Sequence, residues 1–225
     1  GARNVAVGTA ALDALTTADK NTAVGIRAGT SITTGSENTI MGADSGKNLV
    51  SAWNNTCMGF QNLYANQTGT NNVAIGDTAL EDSTASNNTA VGSQALKEVS
   101  DSSYNIGLGR RAGDNITSGD GNVIIGSVDA ASATGDRQLM ITGYDGTTTT
   151  TWIQGDSSGN VTFPATVSAA TAFVPDAQDG AALGTTSLQF SDLFLADSAV
   201  LGFGDDNDTT LTHTDGTGLT LNSTN

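Results

Sequence analysis

Hydrophobic and polar positions along residues 1–130 recur with a nearly fixed period. Each period contains a pentapeptide that begins with Asn, continues with three uncharged residues and ends with Gly. The eight copies begin at Asn4, Asn21, Asn38, Asn55, Asn72, Asn88, Asn105 and Asn122. Successive repeat glycines lie 17 residues apart six times and 16 residues apart once, between Gly76 and Gly92. So short a period is typical of a stacked repeat, because one unit cannot bury a core alone.

The three residues between Asn and Gly predict a short strand. The first is always Val, Thr or Ile, the third is always Val, Met, Ile or Leu, and the middle one is Ala, Ile, Cys or Gly. β-Branched and aliphatic residues favour strands. Because no copy carries a charge, we expect both faces of the strand to be covered, one inside a coil and the other against a second chain.

The residues that bound each triplet predict its turns. Gly suits a backbone with positive φ or a close approach of two chain segments. Asn suits a turn in which its amide bonds local backbone, and stacked Asn side chains are positioned to bond one another.

A second, weaker landmark follows each Gly by about three residues, as in Ala11-Leu12 and Ala79-Leu80. It predicts a second short strand per period, followed by a variable polar loop. Each period is then one coil of a parallel β-solenoid or β-roll. Eight coils spaced ~4.8 Å apart would stack to roughly 40 Å.

The repeat stops after residue 130. Residues 137–142 predict a strand, and residues 152–163 predict two strands joined by a Gly/Ser/Asn turn. Pro164 and Pro175 bracket a connector rich in Ala, Thr and Val, and residues 199–222 predict further short strands. The predicted organisation is a repeat solenoid over 1–130, a β connector over 131–163 and a slender C-terminal β segment over 164–225.

Composition favours an elongated oligomer over a large globular core, because aromatic residues are few and 28 residues are glycine. The net charge of −15 comes from 23 acidic and 8 basic residues. Such a surface repels nucleic acid and anionic membranes, so neither is a predicted partner. No apolar run predicts membrane insertion. Since the chain begins with Gly1, we expect a processed chain or part of a longer fibre.

Residue types that carry chemistry are scarce, and we predict no catalytic, cofactor-binding or metal-binding residue. Cys57 occupies the middle of a repeat triplet, which favours a small buried residue over a nucleophile. His213 lies in an alternating segment without a companion ligand or base. The glycines of 107–113 belong to the seventh repeat, which argues against a phosphate-binding loop.

Two charged groups leave alternatives open. Asp205, Asp206 and Asp208 form either an exposed acidic turn, the more common case, or a Ca²⁺ site, because Ca²⁺ prefers oxygen ligands. Arg110 and Arg111 interrupt the acidic surface and are placed to pair with carboxylates of a neighbouring coil or subunit.

The Asn-Thr-Ala-Val-Gly repeats resemble those of bacteriophage tail fibres, particularly from marine and cyanobacterial phages. They are also similar to head repeats of trimeric autotransporter adhesins, which wind left-handed parallel β-rolls in a homotrimer. The resemblance covers residues 4–130, and residues 183–194 are similar to a segment that phage fibres carry before their C-terminal trimerisation or chaperone region. It implies a homotrimeric virion tail fibre outside the cell. Its implied partners are other fibre or baseplate proteins and a host cell-surface glycan or protein.

The predicted function is therefore structural: a rigid trimeric shaft used in host-surface attachment, not an enzyme. Left-handed β-helix acyltransferases carry three hexapeptides per coil and a catalytic His, which these repeats lack. A bacterial trimeric adhesin head is an alternative. A monomeric ice-binding or carbohydrate-binding solenoid is another, although Thr occupies the first triplet position in only four of eight copies.

Overall fold

The protein is all-β. The computed structural model describes residues 1–170, 186–187, 193–196, 200–203, 209–214 and 218–223. Within these ranges the chain forms fourteen strands and no helix. It divides into two compact units, Gly1–Ser168 and Ala169–Asn225.

Each repeat triplet forms one strand of a parallel ladder, which confirms the solenoid prediction. The eight strands are β1 (Val5–Val7), β2 (Thr22–Val24), β3 (Thr39–Met41), β4 (Thr56–Met58), β5 (Val73–Ile75), β6 (Thr89–Val91), β7 (Ile106–Leu108) and β8 (Val123–Ile125). Every strand pairs with the next without a shift, including Ala74 with Ala90 across the shorter 16-residue coil. The missing residue is therefore absorbed in the loop, and the register of the sheet is kept.

The same sheet continues beyond the repeats. Strand β9 (Leu139–Tyr144) pairs parallel with β8, and β10 (Thr149–Gly155) and β11 (Val161–Thr162) then add antiparallel. The strands predicted in residues 137–142 and 152–163 are thus present, and they join the eleven-stranded sheet of the coils.

Strands β12 (Val200–Phe203), β13 (Thr209–Thr214) and β14 (Gly218–Ser223) form a separate antiparallel sheet in the second unit. They confirm the short strands predicted in residues 199–222. The candidate ligands Asp205, Asp206 and Asp208, and most of residues 183–194, lie outside the described residues.

The predicted second strand of each coil is wrong, because that landmark forms a turn. Ala11 N–H donates to Gly8 O over 3.3 Å, and Leu12 has a φ of 54°. Such a φ cannot belong to a strand. Leu12 N–H instead donates to Ala28 O of the next coil over 3.1 Å, so the turn both closes one coil and bonds the next.

The core lies inside the coils. The middle residue of each triplet points inward and is fully buried from Ala23 to Ile124. Where the strand carries a large inward residue, the adjacent turn carries a small one. A Cβ on Gly29 of the turn would lie only 2.8 Å from Ile40 Cδ1, so glycine makes room for the isoleucine. Such interlocking of large and small residues is typical of closely packed protein interiors.

A ladder of asparagines runs through the stack, as the repeated Asn predicted. Asn55 Oδ1 accepts from the backbone N–H of Asn72 over 2.9 Å and from its Nδ2 over 3.1 Å. Asn55 Nδ2 donates to Gly69 O over 3.0 Å and to Asn38 Oδ1 over 3.1 Å. The buried side-chain amide of Asn55 therefore bonds both the coil before it and the coil after it.

A ladder of glycines follows the strands, and both predicted reasons for glycine apply. Gly76 has a φ of 132°, a conformation that L-residues rarely adopt. A Cβ at this position would also lie 2.5 Å from Gly92 O of the next coil. Only glycine lets the coils stack this closely.

Candidate interaction surface

The first and third residues of every triplet point away from the coil interior and form two parallel columns. We call these sixteen residues the outward stripe. The first column contains Val5, Thr22, Thr39, Thr56, Val73, Thr89, Ile106 and Val123. The second column contains Val7, Val24, Met41, Met58, Ile75, Val91, Leu108 and Ile125. Because the strands pair in register, side chains in each column repeat at the ~4.8 Å spacing of the sheet.

The outward stripe is uncharged and accessible in the single chain, and twelve of its sixteen residues are apolar, the other four being Thr. Met41 is 41% exposed and Leu108 is 36% exposed, whereas the middle residues between the columns are buried from Ala23 to Ile124. The chain therefore covers one face of strands β2 to β8 by its own coil, as predicted. Covering of the second face by another chain stays a prediction. Contiguous exposed apolar surface of this kind marks interaction sites.

Different chemistry borders the outward stripe on its two sides. The glycine ladder runs along one side, and just beyond it Ile26 and Phe60 are 53% and 47% exposed. Along the other side, the residue before each Asn is polar in most coils, and Lys20 bonds Glu37 of the next coil over 2.5 Å. The charged groups thus frame the stripe without entering it.

Charged side chains away from the stripe pair along the stack. Arg27 makes two 2.6 Å bonds to Asp44 at the same position of the next coil, and Asp44 is 4% exposed. This guanidinium lowers the pKa of Asp44 below its ordinary value. Ion pairs between equivalent positions therefore reinforce the coil-to-coil bonds.

No protein-family model, curated protein or solved structure matches the chain. What the outward stripe does is therefore inferred from its chemistry and from the resemblance of the repeats.

Cys57 and His213, the two residues whose side chains could be reactive, both lie on strands. Cys57 is fully buried in β4, and burial raises the pKa of its thiol to about 12, so a nucleophilic thiolate is disfavoured. His213 stands opposite Leu219 in the register of β13 and β14. Among the described residues no three His, Cys, Asp or Glu side chains cluster to hold a metal ion. No helix in the described part of the chain is long and apolar enough to cross a membrane.

A cleft beside the end of the repeats was missed by sequence reasoning. It has a volume of about 460 Å³ and is lined by Arg110, Arg111, Asp114, Ser127, Val128, Asp129, Tyr144 and Thr149. Arg111 pairs with Asp114 of its own coil over 2.6 Å rather than with a neighbouring coil, and pairing with another subunit stays a prediction. Arg110 has no ion-pair partner among the described residues. The aromatic and charged lining was not apparent from sequence, because its members are separated by up to 39 residues between Arg110 and Thr149.

Proposed function

We propose that the protein is a structural fibre protein of a phage tail, forming a rigid homotrimeric shaft used in host-surface attachment. The outward stripe is the observation that carries this proposal. It runs through all eight coils without a charge, in a chain whose net charge is −15. Packing the stripes of several chains together would remove this apolar surface from water, at ~25 cal/mol per Å².

The resemblance to tail-fibre and adhesin repeats supplies the stoichiometry of three. A closed ring of three chains buries the stripe of each copy about a shared axis and leaves no open end for further chains to join. The polar columns, such as the one containing Lys20 and Glu37, then remain at the rim. Interfaces typically combine an apolar centre with a polar rim.

Stiffness of the shaft follows from bonds that are repeated at every coil. The backbone ladder and the asparagine ladder connect each coil to the next, and the Arg27–Asp44 pair adds one further link between two of the coils. Each coil contacts its neighbours through the same groups, so resistance to bending is distributed along the stack. Fibre or baseplate proteins at one end and a host-surface glycan or protein at the other are the partners of such a shaft.

Light scattering of the purified chain, combined with sedimentation, tests the proposal. We expect the mass of three chains and the sedimentation of an elongated particle. The variant Met58→Glu/Val91→Glu places two charges on the outward stripe and should be a monomer, because each buried charge lacks a partner.

The matched control is Thr34→Glu/Thr68→Glu, which adds the same charge at exposed loop positions outside the stripe. This control should remain a trimer. A wild-type monomer, or equal dissociation of both variants, would contradict an interface at the stripe.

A monomeric ice-binding solenoid is the second candidate. Thr22, Thr39 and Thr56 lie outward in three consecutive coils, and regular Thr arrays on a flat sheet can match ice. The neighbouring Met41 and Met58 argue against it, because flexible side chains spoil a flat, regular surface. Thermal hysteresis by a monomer, lost in Thr39→Leu, would establish this function instead.

A further inference from the structure

We propose that the hairpin after the repeats carries a carbohydrate-binding site built on Tyr144 and Trp152. Two clefts meet at Tyr144: the one of about 460 Å³ described above, and one of about 340 Å³ lined by Gly143, Tyr144, Asp145, Thr148, Thr150 and Trp152. Both volumes fall in the ~300–1,000 Å³ range of small-molecule sites. We call this pair of clefts the hairpin site.

Both aromatic rings are held in place by specific contacts and yet remain accessible. Trp152 occupies an irregularity in the pairing of β9 with β10, and its ring packs so closely on Gly143 that a Cβ there would lie 2.6 Å from Trp152 Cζ2. Trp152 is nevertheless 55% exposed. Tyr144 is 50% exposed, and its hydroxyl donates to Gly146 O over 2.8 Å. Rings fixed before binding lose little entropy when a ligand stacks on them.

Polar groups surround the rings on the side of the coils. Arg111 and Asp114 are paired over 2.6 Å, and the neighbouring carboxyl of Asp114 raises the pKa of Asp129. Arg110 lines the same cleft with its guanidinium donors unengaged by any carboxylate of the described residues. Two arginines and two aspartates line this cleft and Asp145 lines the other, so the hairpin site has no excess of basic groups in a chain of net charge −15.

This combination fits an oligosaccharide. A pyranose has a face of C–H groups, which stacks on an accessible aromatic ring, and a rim of hydroxyls, which both donate and accept hydrogen bonds. Tyr144 and Trp152 supply two platforms for successive sugars. Arg110 supplies donors, and Asp129 and Thr149 supply acceptors. Because basic groups are not in excess in these clefts, a strongly anionic ligand such as nucleic acid is disfavoured.

In the proposed fibre, the hairpin site is the part of the chain that binds the host-surface glycan. Its role in attachment therefore rests on the proposed function. Its position is compatible with the proposed interface, because Arg110 and Ser127 each directly follow a repeat glycine and therefore flank the outward stripe. Sugar binding by the purified chain can be measured whether or not the chain assembles.

The test is calorimetric titration of the full chain with three oligosaccharides: neutral maltohexaose, acetylated chitohexaose and carboxylated hexagalacturonate. We expect saturable binding of at least one of the two uncharged oligosaccharides. Binding of hexagalacturonate alone would contradict the site as proposed. Trp152→Ala should weaken that binding about tenfold, since an aromatic stacking contact contributes ~0.5–1.5 kcal/mol beyond the area it buries. Arg110→Gln should weaken it several-fold while leaving the fold intact, because Arg110 is exposed and outside any ion pair of the described residues.

Trp53→Ala is the matched control, since Trp53 is a 45% exposed tryptophan on the coils and outside the hairpin site. Its affinity should equal that of the wild type. The proposal is overturned if none of the three oligosaccharides binds, or if Trp53→Ala weakens binding as much as Trp152→Ala.

Light scattering of the same samples separates the two proposals. A monomer that binds sugar through Trp152 would contradict the trimeric shaft and support the hairpin site. A trimer that binds none of the sugars would support the shaft and overturn the hairpin site.

Discussion

At the scale of single residues, the repeated Asn is explained by the number of bonds that one side chain makes. Asn55 accepts two hydrogen bonds at Oδ1 and donates two from Nδ2, all without exposure to water. Asp would stack like charges in a buried column, and Ser lacks the second donor. Gln138 ends the ladder with the same amide chemistry, donating from Nε2 to Asn122 Oδ1 over 3.1 Å.

Replacing one amide of this ladder should be costly. Asn55→Ala leaves the N–H of Asn72 and the carbonyl of Gly69 without their partner inside the coil. We expect the free energy of unfolding to fall by ~2–5 kcal/mol, since each buried unsatisfied group costs ~1–3 kcal/mol. Urea unfolding followed by circular dichroism measures the change.

Asn48→Ala is the control for this substitution. Asn48 lies on a turn, is partly exposed, and its side chain makes no hydrogen bond within the described part of the chain. Its replacement should cost less than ~1 kcal/mol. Equal losses at both positions would show that the ladder does not stabilise the stack.

The Arg27–Asp44 pair predicts a pH dependence of stability. Its guanidinium lowers the pKa of Asp44 in the folded state below the ordinary value of 3.8. The unfolded chain therefore binds a proton first as the pH falls, so the contribution of the pair is complete above 3.8 and is lost as the pH falls through the lowered folded pKa. We expect the stability difference between wild type and Asp44→Asn to shrink over this acidic window.

Urea midpoints measured from neutral to strongly acidic pH check this expectation. Arg27→Gln should reduce the pH dependence without abolishing it, because it removes the main group that lowers the pKa of Asp44 and leaves Lys47 3.5 Å from the carboxylate. If Arg27→Gln keeps the wild-type profile, another group is responsible.

At the scale of elements, the sequence predicts the triplet strands correctly but wrongly predicts a second strand at the Ala-Leu landmark, which forms a turn. The triplet strands can be predicted because apolar and β-branched residues lie between Asn and Gly in every repeat. The Ala-Leu landmark has the same apolar character, but Leu80 and Leu96 have φ values of 52° and 49°. A non-glycine residue rarely adopts this conformation, so the conformational preferences of leucine alone do not predict a turn here. Burial of the leucine and the bond from Leu96 N–H to Ala112 O offset the backbone strain.

The coil is the unit of this fold, which predicts the effect of internal deletions. Removing residues 56–72 joins Asn55 to Val73 and restores an intact Asn-Val-Ala-Ile-Gly pentapeptide. We expect a folded chain with one coil fewer and a modest loss of stability, as in other nearest-neighbour stacks. Removing only residues 56–63 should abolish cooperative unfolding of the stack, because it deletes a strand without the rest of its coil.

Circular dichroism and urea unfolding of the two deletions provide the comparison. The shorter deletion removes fewer residues, so a greater loss from it cannot be attributed to the length removed. Comparable stability of the two variants would contradict the coil as the folding unit.

At the scale of the whole molecule, the two proposed surfaces differ in how far sequence could predict them. The outward stripe repeats with the strands, so the pattern of uncharged triplets was enough to predict it. The hairpin site combines Arg110, Asp129 and Tyr144, which no periodicity connects. They meet because β9 adds parallel to β8 and carries the chain back alongside the last coils. That pairing depends on the three-dimensional path of the stack, and the sequence shows only that a strand follows.

Assembly through the outward stripe predicts that unfolding depends on protein concentration. For a trimer that unfolds to monomers, mass action raises Tm as the concentration rises.

Salt should raise the Tm of the trimer further, because association brings together chains that each carry a net charge of −15 and salt screens their repulsion. Scanning calorimetry over a hundredfold range of concentration should show both effects in the wild type and in Thr34→Glu/Thr68→Glu. In Met58→Glu/Val91→Glu, Tm should not change with concentration. A wild-type Tm that is equally independent of concentration would mean that the coils are stable alone and that the stripe serves another partner.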